Sequence, residues 1–227
     1  MKQFRVIVPI IIIVAVTIIL VKILMPGKTS TQEKILNKSN SNIITNTLLV
    51  NNDNKLDENY KPYKSDVPNI PFIDNATNEE KQMEEVESKA VEELFKQAKE
   101  EGINFLGTSA YRSYATQKDI YTKKVISDGL TKANEYVAKP GSSEHQTGLC
   151  IDVTNEDRWF VGSTKEAIWL AENAHKFGFI LRYPLGKEDI TGKSYEPWHI
   201  RYVGKEVAKE IYENNSTLEE YTASKIN

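Results

Sequence analysis

The chain has 227 residues, of which 40% are hydrophobic and 27% are charged, as is ordinary for one globular domain with attached segments. Its formal net charge of −3 gives no electrostatic case for binding nucleic acid, which requires a clustered basic face. The single cysteine, Cys150, cannot form a disulfide within the chain, and it lies too far from the N-terminus to carry a lipoprotein anchor.

Residues 1–26 predict an N-terminal transmembrane anchor. No charge occurs from Val6 to Val21, and the apolar run resumes after Lys22. About 20 apolar residues in a helix cover the hydrocarbon core of a bilayer. Lys2 and Arg5 precede the run, so the positive-inside rule keeps the short N-terminus in the cytoplasm and places the rest of the chain outside.

A cleaved signal peptide is the alternative for this segment. The apolar region of a signal peptide is about 7–15 residues long and ends at a small-residue cleavage site. Here the run is longer and ends in Leu24-Met25-Pro26-Gly27. An uncleaved anchor is therefore favoured.

The chain after the anchor divides into three parts. Residues 27–47 are mostly polar and predict a flexible stalk, because they cannot bury enough apolar surface to offset chain entropy. Residues 48–215 are expected to form the folded domain, and 216–227 a C-terminal tail.

The first elements of the domain can be predicted from capping and apolar spacing. Thr77 and Glu80 form a capping box before apolar residues at helical spacing in 83–98, and Gly102 follows where the helix would end. A strand is predicted from Ile103 to Ser109, and a second helix over residues 116–126.

The remaining elements alternate irregularly. Strands are predicted at residues 149–154, 179–181 and 199–203, and helices at 164–177 and 205–214. No regular βαβ repeat is present, so we expect an α+β domain with a small mixed or antiparallel sheet and flanking helices.

Two of the three histidines lie beside acidic residues in polar loops. A catalytic zinc ion requires three ligands from His, Asp or Glu and one open position, and His145, Asp152 and His199 meet that requirement. Glu196, three residues before His199, is placed to act as a general base. No HExxH helix is present, which excludes the common helical metalloprotease arrangement. From spacing alone, surface or hydrogen-bonded histidines remain an equal alternative.

The sequence around these histidines, together with two other blocks, resembles a known family. The run Ser143-x-His145-x-x-Gly148-x-Cys150-x-Asp152, followed by Glu196-x-x-His199, resembles the paired signature of VanY-type D-alanyl-D-alanine carboxypeptidases, which belong to the LAS group of zinc peptidases. The resemblance extends over about residues 48–203. It includes two more blocks in the same order, Ser109-Ala110-Tyr111-Arg112-Ser113 with Gln117, and residues 177–184.

The resemblance implies a LAS-type zinc peptidase fold and specific roles for site residues. One zinc ion per chain would be held by His145, Asp152 and His199, with Glu196 as the catalytic base and acid. Arg112 would bind the substrate carboxylate or the developing oxyanion, because a planar guanidinium can bind two oxygens at once. Gln117 and Ser143 would line the substrate pocket.

The activity implied is removal of the C-terminal D-alanine from peptidoglycan stem peptides, in cell-wall remodelling and possible glycopeptide resistance. An L,D-carboxypeptidase acting on tetrapeptide stems is the first alternative, since one fold serves both. An inactive zinc-stabilised binding module is the second, although an intact Glu196 and Arg112 argue against it. A membrane-tethered scaffold that binds a partner protein is the weakest alternative. We expect a monomeric, single-pass protein of the bacterial cell membrane with an extracytoplasmic catalytic domain.

We expect mainly structural roles for three other residues, Cys150, His175 and Trp198. The family usually has Ala where Cys150 stands. If residues 149–152 form a strand, Cys150 faces the same side as Asp152 and a thiolate can approach the zinc, but a small buried hydrophobic residue is the favoured interpretation. His175 is expected to be a packed or half-exposed helix residue, and Trp198 to shape the pocket wall.

Overall fold

The computed structural model describes residues 46–226, with side chains through residue 225. The predicted anchor at 1–26 lies outside the described residues, as does all but the end of the predicted stalk at 27–47. Within residues 46–226, no helix combines the length and hydrophobicity needed to span a membrane.

The strands form a two-stranded ribbon and a four-stranded antiparallel sheet. They are β1 (Ser65–Asp66), β2 (Met83–Glu84), β3 (Leu106–Ser109), β4 (Cys150–Thr154), β5 (Phe179–Leu181) and β6 (His199–Tyr202). The ribbon pairs β1 with β2, and the order in the larger sheet is β3-β4-β6-β5. All of these pairings are antiparallel.

Helices flank the sheet. They are α1 (Glu85–Glu100), α2 (Tyr114–Asp128), α3 (Leu130–Tyr136), α4 (Lys165–Asn173), α5 (Glu188–Thr191), α6 (Lys205–Glu213) and α7 (Leu218–Ile226). Two 3-10 turns lie at Glu144–Thr147 and Ala174–Phe177. Helices and antiparallel strands are mixed without a βαβ repeat, so the predicted α+β class is confirmed.

The two faces of the sheet have different roles because side chains alternate along each strand. One face carries Ile151, Val153 and Ile200, which join buried residues of α1 such as Val91 and Leu94 in the main hydrophobic core. The opposite face carries polar residues of β4 and β6 at positions 150, 152, 199 and 201. The core therefore supports, from behind, the face on which the polar residues converge.

The capping box forms, but it does not begin the long helix. The backbone N–H of Thr77 donates to the Glu80 carboxylate, and the N–H of Glu80 donates to the Thr77 hydroxyl. These bonds close a turn, and α1 starts only at Glu85. The prediction of one helix from this box through residue 98 is therefore wrong at its N-terminal end, because residues 83–84 pair with β1 instead.

The other boundaries shift by smaller amounts. The strand predicted from Ile103 begins at Leu106, because Gly102 adopts φ 79° and the Ile103 N–H still donates to the Ala98 carbonyl at the end of α1. The helix predicted over 164–177 is α4 followed by a 3-10 turn. Helix α3 was not predicted.

The last helix packs on the domain. Residues 216–227, assigned from sequence to a tail, contain α7, whose Leu218 is fully buried. Leu218 joins a second apolar cluster that includes Ile180 on β5 and Val207 and Ile211 on α6. The packed domain therefore extends beyond residue 215.

Candidate metal centre and peptidase site

His145 lies on the 3-10 turn Glu144–Thr147, just before β4. Gly148 ends the turn in the left-handed region at φ 67°, which glycine adopts without strain, and it directs the chain toward β4. The Nδ1 atom of His145 donates to the Ala110 carbonyl over 2.6 Å. This bond leaves Nε2 as the free nitrogen, and it lies 3.4 Å from Oδ2 of Asp152.

Asp152 and His199 face each other across two paired strands. They are register partners on β4 and β6, which sets their side chains on the same face. The Nδ1 atom of His199 lies 2.8 Å from Oδ1 of Asp152, and its Nε2 lies 3.5 Å from a carboxylate oxygen of Glu144. The His145 and His199 rings are perpendicular, with centroids 5.1 Å apart.

These donor atoms fit a divalent metal ion. Each Asp152 oxygen faces a different histidine, and each histidine has its other nitrogen directed at a protein acceptor, as metal-binding histidines usually do. Ligands about 2.0–2.1 Å from a tetrahedral zinc are about 3.3 Å apart. The 3.4 Å between His145 and Asp152 matches that separation, whereas the 2.8 Å between His199 and Asp152 is shorter, so these two groups would separate slightly to bind one ion. The Ala110 carbonyl thus fixes the His145 ring, while a Glu144 carboxylate oxygen lies near Nε2 of His199 without a hydrogen bond between them.

Electrostatics supports the same conclusion. Burial raises the pKa of Asp152, but His145 and His199 outweigh it and hold that pKa well below its usual range. Burial lowers the pKa of His145, yet Cys150 and Asp152 raise it to about 9. The carboxylate is therefore anionic at neutral pH and is compensated by cationic neighbours. A metal cation supplies the same compensation.

Cys150 lies closer to this cluster than the interpretation as a hydrophobic residue implies. Its Sγ and one nitrogen each of His145 and His199 all lie within 4.8 Å of one another. Burial raises the pKa of the thiol, but the two histidines lower it to about 7. The thiol is fully buried and stands on the same sheet face as Asp152. It is therefore a second candidate for the third ligand.

Glu196 lies beside the histidine that follows it. Its carboxylate Oε2 is 4.0 Å from Nδ1 of His199, and its backbone N–H donates to the Tyr183 carbonyl. Burial raises the pKa of Glu196, and the positive charge of His199 opposes that rise. A carboxylate of raised pKa next to a metal site suits general base and acid catalysis.

Arg112 is held by three contacts. Its backbone N–H donates to the His145 carbonyl. Its Nη1 donates to Oε1 of Gln117 over 3.0 Å, and its Nη2 donates to the Ser109 hydroxyl over 2.9 Å. Its Nε is buried and makes no hydrogen bond within the described residues. The guanidinium is therefore fixed in place by Gln117 and Ser109, and its Nε–H is the donor that has no partner among the described residues.

Gln117 holds Arg112 and has little freedom to contact a substrate. It is only 1% exposed, and its Nε2 donates to the Ala138 carbonyl over 2.7 Å while its oxygen accepts from Arg112. Ser143, the other predicted pocket residue, is also buried. Both residues line the cavity described next.

One cavity of about 270 Å³ brings the predicted residues together. It is lined by Arg112, Gln117, Ser143, His145, Asp152, Glu196 and His199. Trp198 also lies in its wall, as predicted. His175 is half-buried in the second 3-10 turn, where its ring stacks on Tyr212, so it is a packed residue away from the cavity.

Sequence reasoning missed a buried charge network behind His199. The Glu144 Oε1 atom accepts from Nε of Arg182 and from Nη1 of Arg201, both over 2.7 Å. The other nitrogens of Arg182 donate to Glu219 on α7. Two signals were present in the sequence: Glu144 directly precedes His145, and Arg182 lies in the block at residues 177–184 that resembles the family. The partners of Glu144 are 38 and 57 residues away, and their contacts with it follow only from the fold.

Tyr183 and Lys193 were also missed. Both line the cavity, and the Tyr183 ring lies 5.0 Å from the His199 ring. Burial lowers the pKa of Lys193, while Glu196 raises it. Tyr183 lies in the block at residues 177–184 that resembles the family, which is its one signal, whereas no motif of the sequence includes Lys193.

The chain is similar to proteins of a carboxypeptidase family and to relatives named as carboxypeptidases. The family described as VanY, D-alanyl-D-alanine carboxypeptidase, matches residues 80–205. Protein YodJ of Bacillus subtilis (strain 168) is 44% identical over 178 residues, which are 76% of this chain and 65% of that protein. A D-alanyl-D-alanine carboxypeptidase of Enterococcus faecalis (strain ATCC 700802 / V583) is 42% identical over 140 residues, 58% of this chain and 52% of that protein. The chain thus spans about half to two thirds of the length of these relatives.

Solved structures share the fold. The LD-carboxypeptidase LdcB matches with a TM-score of 0.74 and 43% identity, over 79% of this chain and 86% of that one. A vancomycin-resistance D,D-pentapeptidase VanY in complex with Zn(II) matches with a TM-score of 0.66 and 34% identity, over 78% of this chain and 99% of that one. The family match covers more than half of the chain and includes every residue of the metal centre, so this protein belongs to the VanY D-alanyl-D-alanine carboxypeptidase family.

Proposed function

We propose that the protein is a zinc-dependent carboxypeptidase that removes the C-terminal D-alanine from peptidoglycan stem peptides. One observation carries the proposal: a fixed guanidinium, a carboxylate of raised pKa and a metal-donor set line the same cavity. A family relative in complex with Zn(II) and another VanY structure in complex with D-alanine-D-alanine support it. His145, Asp152 and His199 are the proposed ligands.

The mechanism assigns a step to each residue. Zinc, when bound, would supply Lewis acidity that polarises the scissile carbonyl and lowers the pKa of a water molecule. Arg112 binds the terminal carboxylate, which sets the position of the last peptide bond relative to Glu196. Glu196 accepts a proton from the attacking water and transfers it to the leaving amine. Ser109 and Gln117 hold Arg112 in position for this binding.

An L,D-carboxypeptidase acting on tetrapeptide stems is the second candidate. The similarity to LdcB favours it, because that LD-carboxypeptidase matches with a higher TM-score and identity than the D,D-pentapeptidase does. The two activities differ in the chirality of the residue before the scissile bond. Incubating the zinc-loaded full chain, in detergent, with tetra-, penta- and depsipeptide stems separates them, since mass spectrometry identifies each product.

Glu196→Gln is the variant that tests the proposed mechanism. The amide keeps the size of the side chain but cannot accept a proton, so we expect hydrolysis to fall by at least about a hundredfold with zinc retained. Arg112→Ala should instead raise KM as well as lower kcat, because carboxylate binding is lost. Rates and zinc content are measured on both variants, with the exposed Glu172→Gln as the matched control.

Two outcomes would overturn the proposal. If Glu196→Gln cleaves stem peptides at the wild-type rate, the mechanism is wrong. If the zinc-loaded wild type cleaves no stem peptide, the chain is a zinc-stabilised binding module.

We also propose that residues 1–26 anchor the protein in the cell membrane, with residues 27–47 as a stalk and the catalytic domain outside. The uncharged run from Val6 to Val21 and the cations before it support this orientation. We expect a monomer, because one chain supplies all of the site groups named above.

A further inference from the structure

A second cavity adjoins the site cavity. It has a volume of about 290 Å³, and it shares Asp152 and Trp198 with the site cavity as walls. Thr108, Thr154 and Arg158 line its other sides. The second cavity therefore borders a proposed metal ligand, whereas Arg112 lines the site cavity and not the second one.

A bound peptide has a direction in these two cavities. If its terminal carboxylate binds Arg112 and its last peptide bond lies at the metal centre, the rest of the chain must leave on the acyl side of that bond. The second cavity borders Asp152, and Arg112 is not among its lining residues. We take it as the continuation of the site, and this step rests on the proposed function.

Arg158 is the only cationic side chain among the residues that line the second cavity. The other charged residue that lines the second cavity is Asp152, whose negative charge is balanced by the two histidines of the metal centre. The Arg158 guanidinium lies 3.6 Å from Asp74, a fully exposed carboxylate, and the Arg158 side chain is itself 55% exposed. Such an exposed ion pair is weak, so the guanidinium is available to a second carboxylate.

The backbone at Arg158 is unusual. It adopts φ 55°, a left-handed conformation that glycine or asparagine would take at lower cost. The turn is fixed by Asn155, whose carbonyl accepts from the Arg158 N–H and whose side-chain amide bonds both backbone groups of Trp159. A strained arginine in a rigid turn at a cavity rim points to a role for its side chain.

We propose that Arg158 is a specificity-determining residue that binds a carboxylate carried by the acyl part of the peptide, on the side of the scissile bond away from the released residue. Peptides with an acidic group at this place are preferred over neutral or basic ones. The carboxylate can belong to the residue next to the terminal dipeptide or to the residue before that. Both sources offer the same chemistry to a guanidinium fork.

The test compares synthetic peptides of the form acetyl-X-D-Ala-D-Ala with X as glutamate, norleucine or lysine, and a second series that moves the glutamate one residue toward the N-terminus. For the full-length zinc-loaded protein, we expect one of the two series to show its lowest KM with the glutamate peptide. That series identifies the peptide position whose carboxylate Arg158 binds. Arg158→Asn keeps the left-handed preference but removes the charge, and it should raise that KM about three- to fivefold. The KM for the norleucine peptide should not change.

Three further variants sharpen the test. Arg158→Lys should retain most of the preference, and Lys209→Asn, which removes an exposed cation on α6, should leave it unchanged. Asp74→Asn removes the competing carboxylate and should lower the KM for the acidic peptide. Because Arg158 is partly exposed, the preference should also shrink as salt is added.

Two results would overturn the inference. One is a wild type that shows no preference for glutamate in either series, which leaves the proposed function intact. The other is an Arg158→Asn variant in which KM rises equally for acidic and neutral peptides. If the zinc-loaded wild type cleaves none of these peptides, the D,D-activity fails and this inference fails with it, whereas cleavage of tetrapeptide stems would still support the L,D-activity.

Discussion

At the scale of single residues, two side chains compete for the third ligand position. Asp152 presents one oxygen to each histidine, whereas Cys150 lies two positions earlier on the same strand face. Zinc accepts either thiolate or carboxylate. The paired signature assigns the ligand role to Asp152, whose oxygens lie 3.4 Å and 2.8 Å from nitrogens of His145 and His199. The Cys150 Sγ lies within 4.8 Å of a nitrogen of each of these histidines.

We therefore predict that Asp152→Ala loses most of the bound zinc and that Cys150→Ala keeps about one zinc per chain. The alanine at 150 removes a thiol that the proposed ligand set does not use. Zinc content is measured by metal analysis of protein purified at neutral pH, with His145→Ala as the positive control for loss. Loss of zinc from Cys150→Ala together with retention in Asp152→Ala would assign the third ligand to the thiol.

Glu144 provides the second prediction at this scale. It is fully buried, and Arg182 and Arg201 overcome the effect of burial and hold its pKa well below the usual 4.5. Glu144→Gln leaves two buried guanidinium groups without their shared anion. Breaking a buried ion pair in this way costs about 3–5 kcal/mol of unfolding free energy.

The sign of the pH dependence follows from the lowered pKa. The stability contributed by the Glu144 carboxylate is fully present above pH 4.5 and is lost as the pH falls below it, toward the pKa of the folded state. The unfolding free energies of chelator-treated wild type and Glu144→Gln, measured with urea, should differ most at pH 7 and progressively less below pH 4.5. An equal difference at pH 7 and pH 3 would contradict this account, and Glu172→Gln should show no difference at either pH.

At the scale of secondary-structure elements, local signals predicted which elements exist but not where each begins. Strands β4 and β5 follow closely from their apolar runs. Helix α1 begins later than its capping box indicates because the Glu84 carboxylate accepts the backbone N–H groups of Tyr63 and Lys64, which lie 21 and 20 residues earlier. A contact over that distance competes with local capping and leaves no local signal.

The candidate site was also predicted only in part, because some of its residues depend on contacts between distant segments. The paired signature identified the residues that line the cavity and face the metal position, because catalytic chemistry restricts residue type and spacing. It did not identify Glu144 as the partner of His199, because that role depends on the packing of β6 against the 3-10 turn. Nor did it indicate that Gln117 is occupied in holding Arg112.

Helix α7 supplies the prediction at the element scale. Leu218 is fully buried with Ile180 and Val207, and the next residue pairs with Arg182. Leu218→Ala should lower the unfolding free energy by about 2–5 kcal/mol, as expected for a buried leucine truncated to alanine. Ile126→Ala, at a site 80% exposed, is the matched control and should change it by less than about 0.5 kcal/mol. Denaturant unfolding measures both, and equal effects would mean that α7 does not pack in solution.

At the scale of the whole molecule, the face that carries the metal centre is backed by the main core and braced by distant segments. Arg201 donates to the carbonyls of Asn46 and Leu48 at the start of the described chain, and Arg182 binds Glu219 near its end. Both arginines also meet at Glu144, beside His199. Segments at both ends of the domain therefore hold the Glu144 carboxylate in place beside one histidine.

The last prediction concerns the placement of this domain in the cell. The charge asymmetry around the N-terminal apolar run, with Lys2 and Arg5 before it, predicts a domain on the extracytoplasmic side. Protease added to intact, wall-stripped cells should therefore remove the domain, while a cytoplasmic marker protein survives. A variant with Lys2→Glu and Arg5→Glu weakens the orienting charge and should leave part of the population protected, because positively charged residues on the cytoplasmic side set the orientation. Complete protection of the wild-type domain in intact cells, with digestion only after lysis, would refute the anchor orientation without bearing on the zinc chemistry.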